Sequence, residues 1–580
     1  KPYTPVGIEA FRTTTDTCKN NFATLNPLVG VGIAANDNVA VLKDGNLYYD
    51  NANQSWTTST IGVSSGKYYA EFMVTGGTIG SNLGVCGDNR HGRNNQQYHA
   101  ARGISYIRLS STSVTKDYNA TSTTETAGDA PLSYESGSIV GITIDYDNKE
   151  IKYYKNGTLI RTDSTPASYT PVDFAFYFLA FRTNDGASPV GSAWADVIAN
   201  FGQNPSFSGT TTAGTNADDS GKGLFKYAPP TGFLALCEDN LPAPAIADPG
   251  EHFKCVLWTG SGGSKAITGV GFKPDLVWVK SRTNTEGHIL FDSVRGPNVR
   301  QLVHTATVEG TAVGGLNSFD DDGFSVGVYT GTNQSGQDYV AWCWKAGGAA
   351  VANTDGTIAS QVSVNQTAGF SCGTFTGNRQ VNQSIGHGLG KVPAMIVVKE
   401  RNASSGWAVY HKARGNTKVS YWDIPNVEFT EADSTSSWAL TDPTSDVFYV
   451  GNNGATNDNN EAFYAWAEVE GFSKFGSYVG NNNADGPAIF CGFKPAFLMI
   501  KLVTGSERDW HIYDSSRNPT NPVGLNLRPS TDAGDIDEPG IDFLSNGFKI
   551  RQNYIFSNES GQTIIFAAFA ESPFQTANAK

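Results

Sequence analysis

One ten-residue phrase occurs three times in this 580-residue chain, and it constrains the fold more than any other feature. The three versions are GFKPDLVWVK from Gly271, GKVPAMIVVK from Gly390 and GFKPAFLMIK from Gly492. They begin roughly 100 to 120 residues apart, a spacing far longer than that of a solenoid repeat. The spacing therefore indicates three copies of a whole domain.

Each phrase is typical of a strand at the centre of a sheet. Gly-x-x-Pro ends the preceding element, and the runs that follow, LVWV, MIVV and FLMI, are apolar on both alternating faces. We therefore expect burial on both sides. A lysine follows each run, at Lys280, Lys399 and Lys501. Because lysine is rarely fully buried, we expect these lysines to mark the point where each strand reaches solvent.

Other segments recur around the phrase in a fixed order. Each copy has an upstream strand, an aromatic strand that ends in a charged turn, and a closing strand; in the first copy these are FKCVLWTG, HILFDSVRG and DYVAWCWKA. We assign copy 1 to residues 253–350, copy 2 to 368–470 and copy 3 to 471–571. A connector at 351–367 and a C-terminal tail at 572–580 complete this part of the chain.

The first part of the chain has the pattern of β-hairpins. The stretch GITIDYDNKEIKYYKNGTLI alternates apolar and polar residues and turns at Asn156-Gly157, where Asn-Gly supplies the positive φ angles of a two-residue turn. Helical periodicity is nearly absent throughout. We predict an N-terminal segment at 1–15, an antiparallel β-sandwich at 16–235 and a proline-rich linker at 236–252.

Two family resemblances build on these segments. The order SSGKYYAEF, GVC, GSIVGITIDYDNKEIKYYKNGTLI and NFGQNPSF resembles a SPRY domain, a bent concanavalin-like sandwich that recognises ligands with its loops. KNNFATLNPL and KDGNLYYD are similar, more narrowly, to SPRY-like modules of bacteriophage virion proteins, and this likeness covers residues 16–230. KAGGAAVANTDGTIASQVSVNQTAGFS and GHGLGKVPAMIVVK resemble repeat modules in tail-fibre-like virion proteins of phages that infect marine bacteria, over residues 250–571.

The expected fold class is all-β and multidomain: a SPRY-like antiparallel β-sandwich followed by three homologous β-sandwich-type domains. Bulk properties narrow the function. The formal charge of -14, the pI near 5.1 and the lack of a Lys/Arg cluster argue against a nucleic-acid partner. The longest apolar run, FAFYFLAF, is far shorter than the roughly 20 residues of a membrane-spanning helix, so we expect no membrane insertion.

The termini and cysteines add two further expectations. No basic leader with an apolar stretch and a cleavage site is present, so export by a signal peptide is unsupported. The chain starts at Lys1 rather than Met, and a leader lost before Lys1 is the alternative. The seven cysteines are scattered and never form a CxxC pair or stand beside a histidine at metal-ligand spacing. We interpret them as mostly buried free thiols.

The loop DNRHGRNNQQYHAARG, residues 88–103, is the most polar connection of the SPRY-like module. Loops of that fold hold ligand sites, and the candidate ligand-binding residues here are Arg90, His91, Arg93, Tyr98 and His99. No cysteine or carboxylate completes a metal set with the two histidines, so no zinc site is expected. A plain solvated loop is the alternative.

Aromatic residues and arginines give further candidates in the repeats. Most tryptophans lie in alternating strands where burial explains them, but Trp422 and Trp438 lie on an irregular stretch of copy 2, where we expect exposure and stacking on sugar rings. The charged turns end at arginines that could grip a carboxylated sugar, although recurrence in all three copies favours local ion pairs. These arginines are Arg295, Arg414 and Arg517.

Acidic and amide-rich loops favour turns over cation sites. FDDDGF lacks the spacing of an EF-hand and predicts a hairpin turn, whereas GNNGATNDNNE and GNNNADGP offer oxygens for a cation or sugar but have the composition of turns. Neither an H-E-x-x-H motif, a phosphate loop nor the paired-carboxylate strand of concanavalin-like glycosidases occurs. We expect no catalytic residues, no metal and no cofactor.

The resemblances imply a phage virion structural protein at the particle surface. The leading hypothesis is a non-enzymatic tail fibre or related appendage whose loops adhere to a host cell-surface glycan or protein and gain avidity through several copies. Other virion proteins would be partners, and a homo-oligomer, with a trimer as the suggested form, would display the loops. The alternatives are a capsid decoration or head-fibre protein and a polysaccharide-degrading, tailspike-like enzyme.

Overall fold

The structure is a computed structural model that describes residues 20–28, 41–50, 56–76, 82–86, 104–108, 113–118, 121–126, 135–164, 177–181 and 196–574. The chain divides into two compact units, unit 1 at Lys1–Ala243 and unit 2 at Pro244–Lys580. The boundary lies within the predicted linker, but both ends of that segment belong to the units. Cys237 is buried in a core of unit 1, and Ile246 is buried in the core of unit 2.

Unit 1 is an antiparallel β-sandwich, as its sequence predicts. One sheet has the order β1-β2-β13-β4-β9-β10-β11, with β16 pairing parallel to β4, and the other has the order β3-β12-β5-β6-β7-β8. A separate pair joins β14 to β15. The strands are β1 (Val41–Lys43), β2 (Tyr48–Asp50), β3 (Trp56–Thr58), β4 (Lys67–Thr75), β5 (Asn82–Cys86), β6 (Ile104–Arg108), β7 (Ser113–Tyr118), β8 (Thr121–Thr126), β9 (Ile139–Asp145), β10 (Glu150–Lys155), β11 (Thr158–Ser164), β12 (Tyr177–Phe181), β13 (Asp196–Asn200), β14 (Asn216–Ala217), β15 (Leu224–Phe225) and β16 (Leu234–Ala235).

Aromatic rings join the two sheets of unit 1. Phe72 of β4 lies 6.3 Å, between ring centroids, from Phe178 of β12 in the facing sheet, and Phe201 contacts both rings. The predicted hairpin turn is confirmed: Asn156 and Gly157 adopt φ angles of 49° and 80° between β10 and β11. A 3₁₀ turn at Glu238–Asn240 lies near the end of the unit.

Unit 2 contains the three predicted copies, each built on the same order of strands. After a 3₁₀ turn at Pro249–Glu251, copy 1 contains β17 (Phe253–Thr259), β18 (Lys265–Thr268), β19 (Leu276–Ser281), β20 (Ile289–Asp292), β21 (Val299–Leu302), β22 (Gly310–Thr311), β23 (Ser318–Asp320), β24 (Gly323–Val326), α1 (Thr330–Asn333) and β25 (Asp338–Trp344). A hairpin of β26 (Val351–Asn353) and β27 (Ser360–Asn365) follows.

Copies 2 and 3 repeat this order with small changes. Copy 2 contains β28 (Phe370–Thr376), β29 (Gln383–Gly386), β30 (Pro393–Glu400), β31 (Ala408–His411), β32 (Lys418–Tyr421), β33 (Phe429–Thr430), β34 (Val447–Val450) and β35 (Asn460–Ala467). Copy 3 contains β36 (Ser473–Val479), β37 (Ala488–Phe490), β38 (Phe493–Leu502), β39 (His511–Asp514), β40 (Val523–Asn526), β41 (Ile536–Leu544), β42 (Gly547–Ile550), α2 (Ile555–Asn558) and β43 (Thr563–Pro573), which continues two residues into the predicted tail.

The repeated phrase forms the central strand in every copy, as predicted. β19 lies between β25 and β20, β30 between β35 and β31, and β38 between β43 and β39. All six residues of β19 and all eight of β30 are buried. A second sheet accompanies the main sheet of each copy, so each copy has two sheets. The second sheets are β18-β24-β23, β29-β34 and β37-β42-β41-β40.

The closing strands of the three copies meet in one shared hydrophobic core, and copies 1 and 2 each have a further core of their own. Trp344 at the end of copy 1 lies 6.1 Å from Trp466 of copy 2 and 5.5 Å from Phe569 of copy 3, measured between ring centroids. These three residues stand at equivalent register positions, opposite Leu276, Met395 and Phe497. The closing strand of copy 1 thus packs against those of the other two copies, and unit 2 is one compact unit.

The predicted connector at 351–367 is also corrected by the structure. Its strands β26 and β27 extend the main sheet of copy 2, because β27 pairs with β28 along its whole length. The six cysteines in the described part of the chain are buried and form no disulfide with one another, as predicted, while Cys18 lies outside it. Among the described residues, no helix is long and apolar enough to cross a membrane.

Candidate functional site

The three lysines that follow the repeated phrase are buried, and the expectation of solvated lysines is wrong. Lys280, Lys399 and Lys501 each have 0% exposure. Burial lowers the pKa of each to about 8. Lysine can be buried where carbonyl oxygens accept its N–H groups, and each Nζ here meets two. The sequence pattern correctly located the strand end but could not reveal the neighbouring copy that covers it.

Each lysine donates to one carbonyl of its own copy and to one of another copy. Within the copies, the acceptors are the carbonyls of Ser281 at 2.5 Å, Ser405 at 2.7 Å and Arg508. Between the copies, Lys280 donates to Asp532, Lys399 to Ala306 and Lys501 to Pro425, at 3.2, 3.3 and 2.9 Å. Copy 1 therefore binds copy 3, copy 3 binds copy 2 and copy 2 binds copy 1. We call these three contacts between copies the seams; together they form a closed cycle.

The arginines of the charged turns are structural ion pairs. The guanidinium groups of Arg295 and Arg517 have no exposed surface, and their Nε atoms lie 2.5 and 2.6 Å from Asp292 and Asp514. Arg414 binds Glu428 instead, because copy 2 has His411 at the position of those aspartates. The guanidinium groups of these three arginines are all engaged by carboxylates of the chain, so they are not available to bind a carboxylated sugar. This supports the local ion pairs that the sequence favours.

A second set of contacts crosses the seams beside these arginines. Arg401 of copy 2 binds Glu309 of copy 1 through two nitrogens at 2.8 Å, and Arg282 of copy 1 binds Asp535 of copy 3 at 2.8 Å. At the third seam Val503 replaces the arginine, and the N–H of Glu428 donates to its carbonyl at 3.2 Å. The backbone bond recurs at all three seams; the ion pair recurs at two.

The aspartates of copies 1 and 3 also accept a ring N–H or O–H from the neighbouring copy. Tyr464 donates to Asp292 at 2.8 Å, and Trp342 donates to Asp514 at 3.1 Å. Copy 3 has Ala567 at the position of these rings, and His411 of copy 2 instead lies 3.1 Å from the carbonyl of Phe566. Where the ring of the neighbouring copy is replaced by alanine, the aspartate that would accept its hydrogen is therefore replaced by histidine.

Trp422 and Trp438 are buried, so the expectation that they are exposed is wrong. Each has 1% exposure. Trp422 packs against Trp278 of copy 1 and Trp407, with centroid distances of 4.9 and 5.9 Å. Trp438 packs against Tyr410 at 5.9 Å. The stretch is irregular in backbone, but it covers a hydrophobic surface, and neither indole is open to stack on a sugar.

The exposed aromatic residue of that region is Phe429. It is 44% exposed, more than any other aromatic side chain among the described residues. Its ring meets Tyr421 edge-on at 5.7 Å. Gly406 borders Tyr421, and a Cβ there would lie 2.7 Å from the tyrosine ring. The equivalent positions hold Gly310 in copy 1 and Ile536 in copy 3, so this surface is specific to copy 2.

Polar groups surround the Tyr421–Phe429 surface. Asp423 approaches the same glycine and accepts the N–H of Trp407, while burial raises the pKa of Asp423. Lys418 donates to Thr430 at 2.8 Å, and Asn426 donates to Glu507 of copy 3 at 2.7 Å. An apolar ring face with carboxylate and amide groups beside it is suited to a neutral sugar.

The other loop candidates have mixed outcomes. FDDDGF forms the predicted hairpin, with Asp320 opposite Gly323. Asn457 of the loop GNNGATNDNNE and Asn558 of α2 are fully buried. Asn457 donates to the carbonyl of Gly451, and Asn558 donates to that of Asn483 in the loop GNNNADGP, as Asn333 of α1 donates to Gly263 in copy 1. This turn interpretation fits both loops, and no metal-binding group of three His, Cys, Asp or Glu occurs in the described ranges. The candidates Arg90, His91, Arg93, Tyr98 and His99 lie outside the described residues.

Two buried carboxyl groups were missed by sequence reasoning. Glu400 and Glu461 lie opposite one another on β30 and β35, and both have 0% exposure. Burial raises the pKa of Glu461 to about 8; the N–H of Asp458 opposes the effect and the charge of Glu400 adds to it. In unit 1, burial likewise raises the pKa of Glu71 to about 7. Only the register between β30 and β35 places Glu400 opposite Glu461, and the sequence does not give that register.

Unit 2 is an all-β unit of three copies whose closing strands pack together in a shared core. A family model described as a domain of unknown function, DUF7483, matches residues 248–573, and the chain belongs to this family. The matched range begins and ends within a few residues of the three copies. Comparison with the sequences of curated proteins finds no match.

Among solved structures, the chain is similar to two SPRY domains and to stonustoxin. The SPRY domain of human HERC1 is 16% identical over 30% of this chain and 96% of that chain, with a TM-score of 0.22. The TRIM65 PSpry domain is 11% identical over 31% and 89%, with a TM-score of 0.22. Stonustoxin is 14% identical over 31% of this chain and 27% of its own length, also with a TM-score of 0.22.

Proposed function

We propose that the chain is a non-enzymatic structural protein of a phage virion, a tail fibre or related surface appendage that adheres to the host surface. The observation that carries the adhesive role is the contrast between the seams and the Tyr421–Phe429 surface. The seams repeat the same buried contacts in all three copies, whereas Phe429 is exposed in copy 2 and absent from the matching positions. The repeated seam contacts hold the three copies together, whereas the exposed ring of Phe429, which only copy 2 has, is accessible to a ligand.

A neutral glycan of the host cell surface is the ligand class that suits this surface. The apolar ring of Phe429 can stack on the C–H face of a sugar, and the amide of Asn426 and the carboxylate of Asp423 can meet hydroxyl groups. The nearby carboxylates disfavour an acidic sugar. Single contacts of this kind are weak, so display of several chains on one particle would supply the avidity that attachment requires.

The test uses the purified full chain and fluorescently labelled neutral polysaccharide from host cells. Phe429→Ala should weaken binding by about tenfold, the effect of losing one aromatic contact. Val308→Ala, which truncates another exposed apolar side chain on copy 1, is the matched control and should bind as the unaltered chain does. Equal binding by both variants would remove Phe429 from the ligand surface.

The alternative roles are separated by different measurements. A capsid decoration or head-fibre protein would place antibody label over the capsid lattice of an intact virion, whereas an appendage would place it on a projection from the tail. A tailspike-like enzyme would release new reducing ends from host polysaccharide during incubation. Label confined to the capsid would replace the leading proposal with the decoration role.

A further inference from the structure

The first strand of copy 1, β17, is the edge of its sheet. It pairs with β25 on one side, and the hydrogen bonds at its two ends show which residues face that partner: Gly260 N–H donates to Gln337, and Lys345 N–H donates to the carbonyl of His252. Antiparallel pairing alternates, so the even-numbered residues bind β25. The backbone groups of four residues therefore point away from the sheet: Phe253, Cys255, Leu257 and Thr259.

Most of this outward row is unpaired within the described part of the chain. Two side chains reach it, Ser516 at 3.4 Å from the carbonyl of Cys255 and Lys265 at 2.9 Å from the carbonyl of Thr259. Neither the N–H nor the carbonyl of Leu257 meets a partner among the described residues, and its side chain is 40% exposed. An unpaired strand edge of this kind is a template for another strand.

Copy 2 shows what fills the same edge when it is covered. β28 is the counterpart of β17, and the bonds from Ala467 N–H to Gly369 and from Gly377 N–H to Asn459 show that its even-numbered residues point outward. These outward residues pair with β27, Phe370 opposite Asn365 and Cys372 opposite Ser363. Phe253 and Cys255 of β17 repeat that aromatic residue and that cysteine, and they stand at the same register against the closing strand.

The neighbouring copy lies beside the edge in both places. Cys372 lies beside Asp292 and Arg295 of copy 1, as Cys255 lies beside Asp514 of copy 3. In copy 2, β27 pairs with β28 along its whole length. At β17, Ser516 of copy 3 reaches the carbonyl of Cys255, and no strand of the described chain pairs with the outward side.

The strand on β28 also defines the residues that such a partner needs. Val362 is buried in the core between the two sheets of copy 2, and Val364 packs against it. On the opposite face Gln361 is exposed, and Ser363 is buried and accepts the N–H of Gly347. The pattern is an alternation of aliphatic and small polar residues.

We propose that β17 is a docking site for an extended segment of a partner polypeptide, which adds to the edge as an antiparallel strand. Backbone hydrogen bonds from both outward groups of Leu257 and from the outward N–H groups of Cys255 and Thr259 supply the affinity, and alternating aliphatic side chains supply the specificity by extending the core of copy 1. The occupant has the alternation of β27. This surface is separate from the Tyr421–Phe429 surface and does not rest on the proposed adhesion.

The test uses the full chain and a labelled synthetic peptide with the sequence of residues 358–367, IASQVSVNQT. Binding is followed by fluorescence anisotropy, and the site is located by amide hydrogen exchange. We expect saturable binding and slowed exchange at Leu257 and Thr259. A peptide with aspartate at both valines should bind at least about tenfold more weakly, because charges would enter the core.

Two variants of one residue separate docking from other effects. Leu257→Pro removes an outward N–H and leaves every bond to β25 in place, so binding should fall about tenfold or more, while Leu257→Ala keeps the N–H and should bind within about threefold.

If the proline variant loses its native circular dichroism, the hydrogen-exchange data on the unaltered chain decide. Slowed exchange on β28 instead of β17, equal binding by both variants, or no binding would overturn the proposal. Self-association of the chain that Leu257→Pro abolishes, without peptide binding, would assign the edge to a second copy and overturn it as well.

Discussion

Arg401 of copy 2 binds Glu309 of copy 1 through two nitrogens, each 2.8 Å from a different carboxylate oxygen. The same carboxylate lies 3.2 Å from Arg295, whose guanidinium has no exposed surface. Burial alone would lower the pKa of Arg295, but the charges around it, led by Asp292, outweigh burial and raise the pKa. One carboxylate therefore serves a partly exposed arginine across the seam and a fully buried arginine within copy 1.

Because Glu309 binds two arginines, removing its charge should destabilise the protein more than removing Arg401 alone. Glu309→Gln should lower the free energy of unfolding by about 2–4 kcal/mol, because buried Arg295 loses part of its compensating charge, whereas Arg401→Met should cost about 1 kcal/mol. Urea denaturation followed by tryptophan fluorescence measures both, since most tryptophans lie in unit 2. Exposed Glu251→Gln is the control and should have no effect. Equal losses for the first two variants would contradict the shared role.

The buried lysines predict a rise in stability between pH 8 and pH 10. Burial lowers the pKa of Lys399 to about 8 in the folded protein, against 10.5 as its ordinary value. In that interval the unfolded chain binds more protons than the folded one, so the free energy of unfolding increases with pH, by up to about 3 kcal/mol for each such lysine. As pH falls through 8 this contribution is lost.

The measurement for the lysines is a comparison with Lys399→Met, whose side chain does not titrate. The difference in free energy of unfolding between the unaltered chain and the variant should grow by about 2 kcal/mol from pH 8 to pH 9.5 in favour of the unaltered chain. Buried tyrosines titrate in both proteins and cancel in the difference. Parallel pH curves would show that Lys399 is solvated in solution.

The carboxyl pair of Glu400 and Glu461 predicts the opposite dependence at lower pH. Burial raises the pKa of Glu461 from 4.5 to about 8, so the folded protein binds more protons than the unfolded chain between these values. Its contribution is fully present below pH 4.5 and falls as pH rises towards 8, by up to about 4 kcal/mol. Glu461→Gln, which can still accept the N–H of Asp458, should match the unaltered chain at pH 4.5 and be more stable at pH 8.

The control for the carboxyl pair is Glu251→Gln, an exposed carboxyl group of the same unit. Its stability should follow that of the unaltered chain across the whole range. If Glu461→Gln were equally stable at both pH values relative to the unaltered chain, the two carboxyl groups would be open to water in solution rather than buried together.

The sequence predicted the local elements of unit 2 well, because alternation and turn chemistry are local signals. The central position of β19, β30 and β38 and the hairpin at Asp320 were predicted in this way. The burial of Lys399 and Trp422 was not, since both are covered by residues of copy 1 that lie about 100 residues or more away in the chain. The irregular stretch of copy 2 does hold an exposed aromatic residue, but it is Phe429 rather than the predicted Trp422 and Trp438.

The connecting hairpin shows a related limit of sequence reasoning. Residues 351–367 have turn residues between two short alternating runs, which are compatible with a linker as well as with an edge hairpin. What decides between them is the open edge of β28, and that edge exists only after copy 2 has folded. The buried pair Glu400 and Glu461 depends in the same way on the register of two distant strands.

The closed cycle of seams predicts that the three copies fold only together. A chain that ends at residue 470 would lack copy 3 and would expose Phe253 and Trp344, which pack against Phe569 at 5.2 and 5.5 Å. The seams at Lys280 and at Pro425 would also be lost. We expect the remaining copies to show no cooperative unfolding transition and to be digested rapidly by protease between residues 253 and 470, while the full chain unfolds unit 2 in one transition. A truncated chain in which copies 1 and 2 keep native-like amide protection would mean that two copies suffice, and that ring closure adds stability without being required for folding.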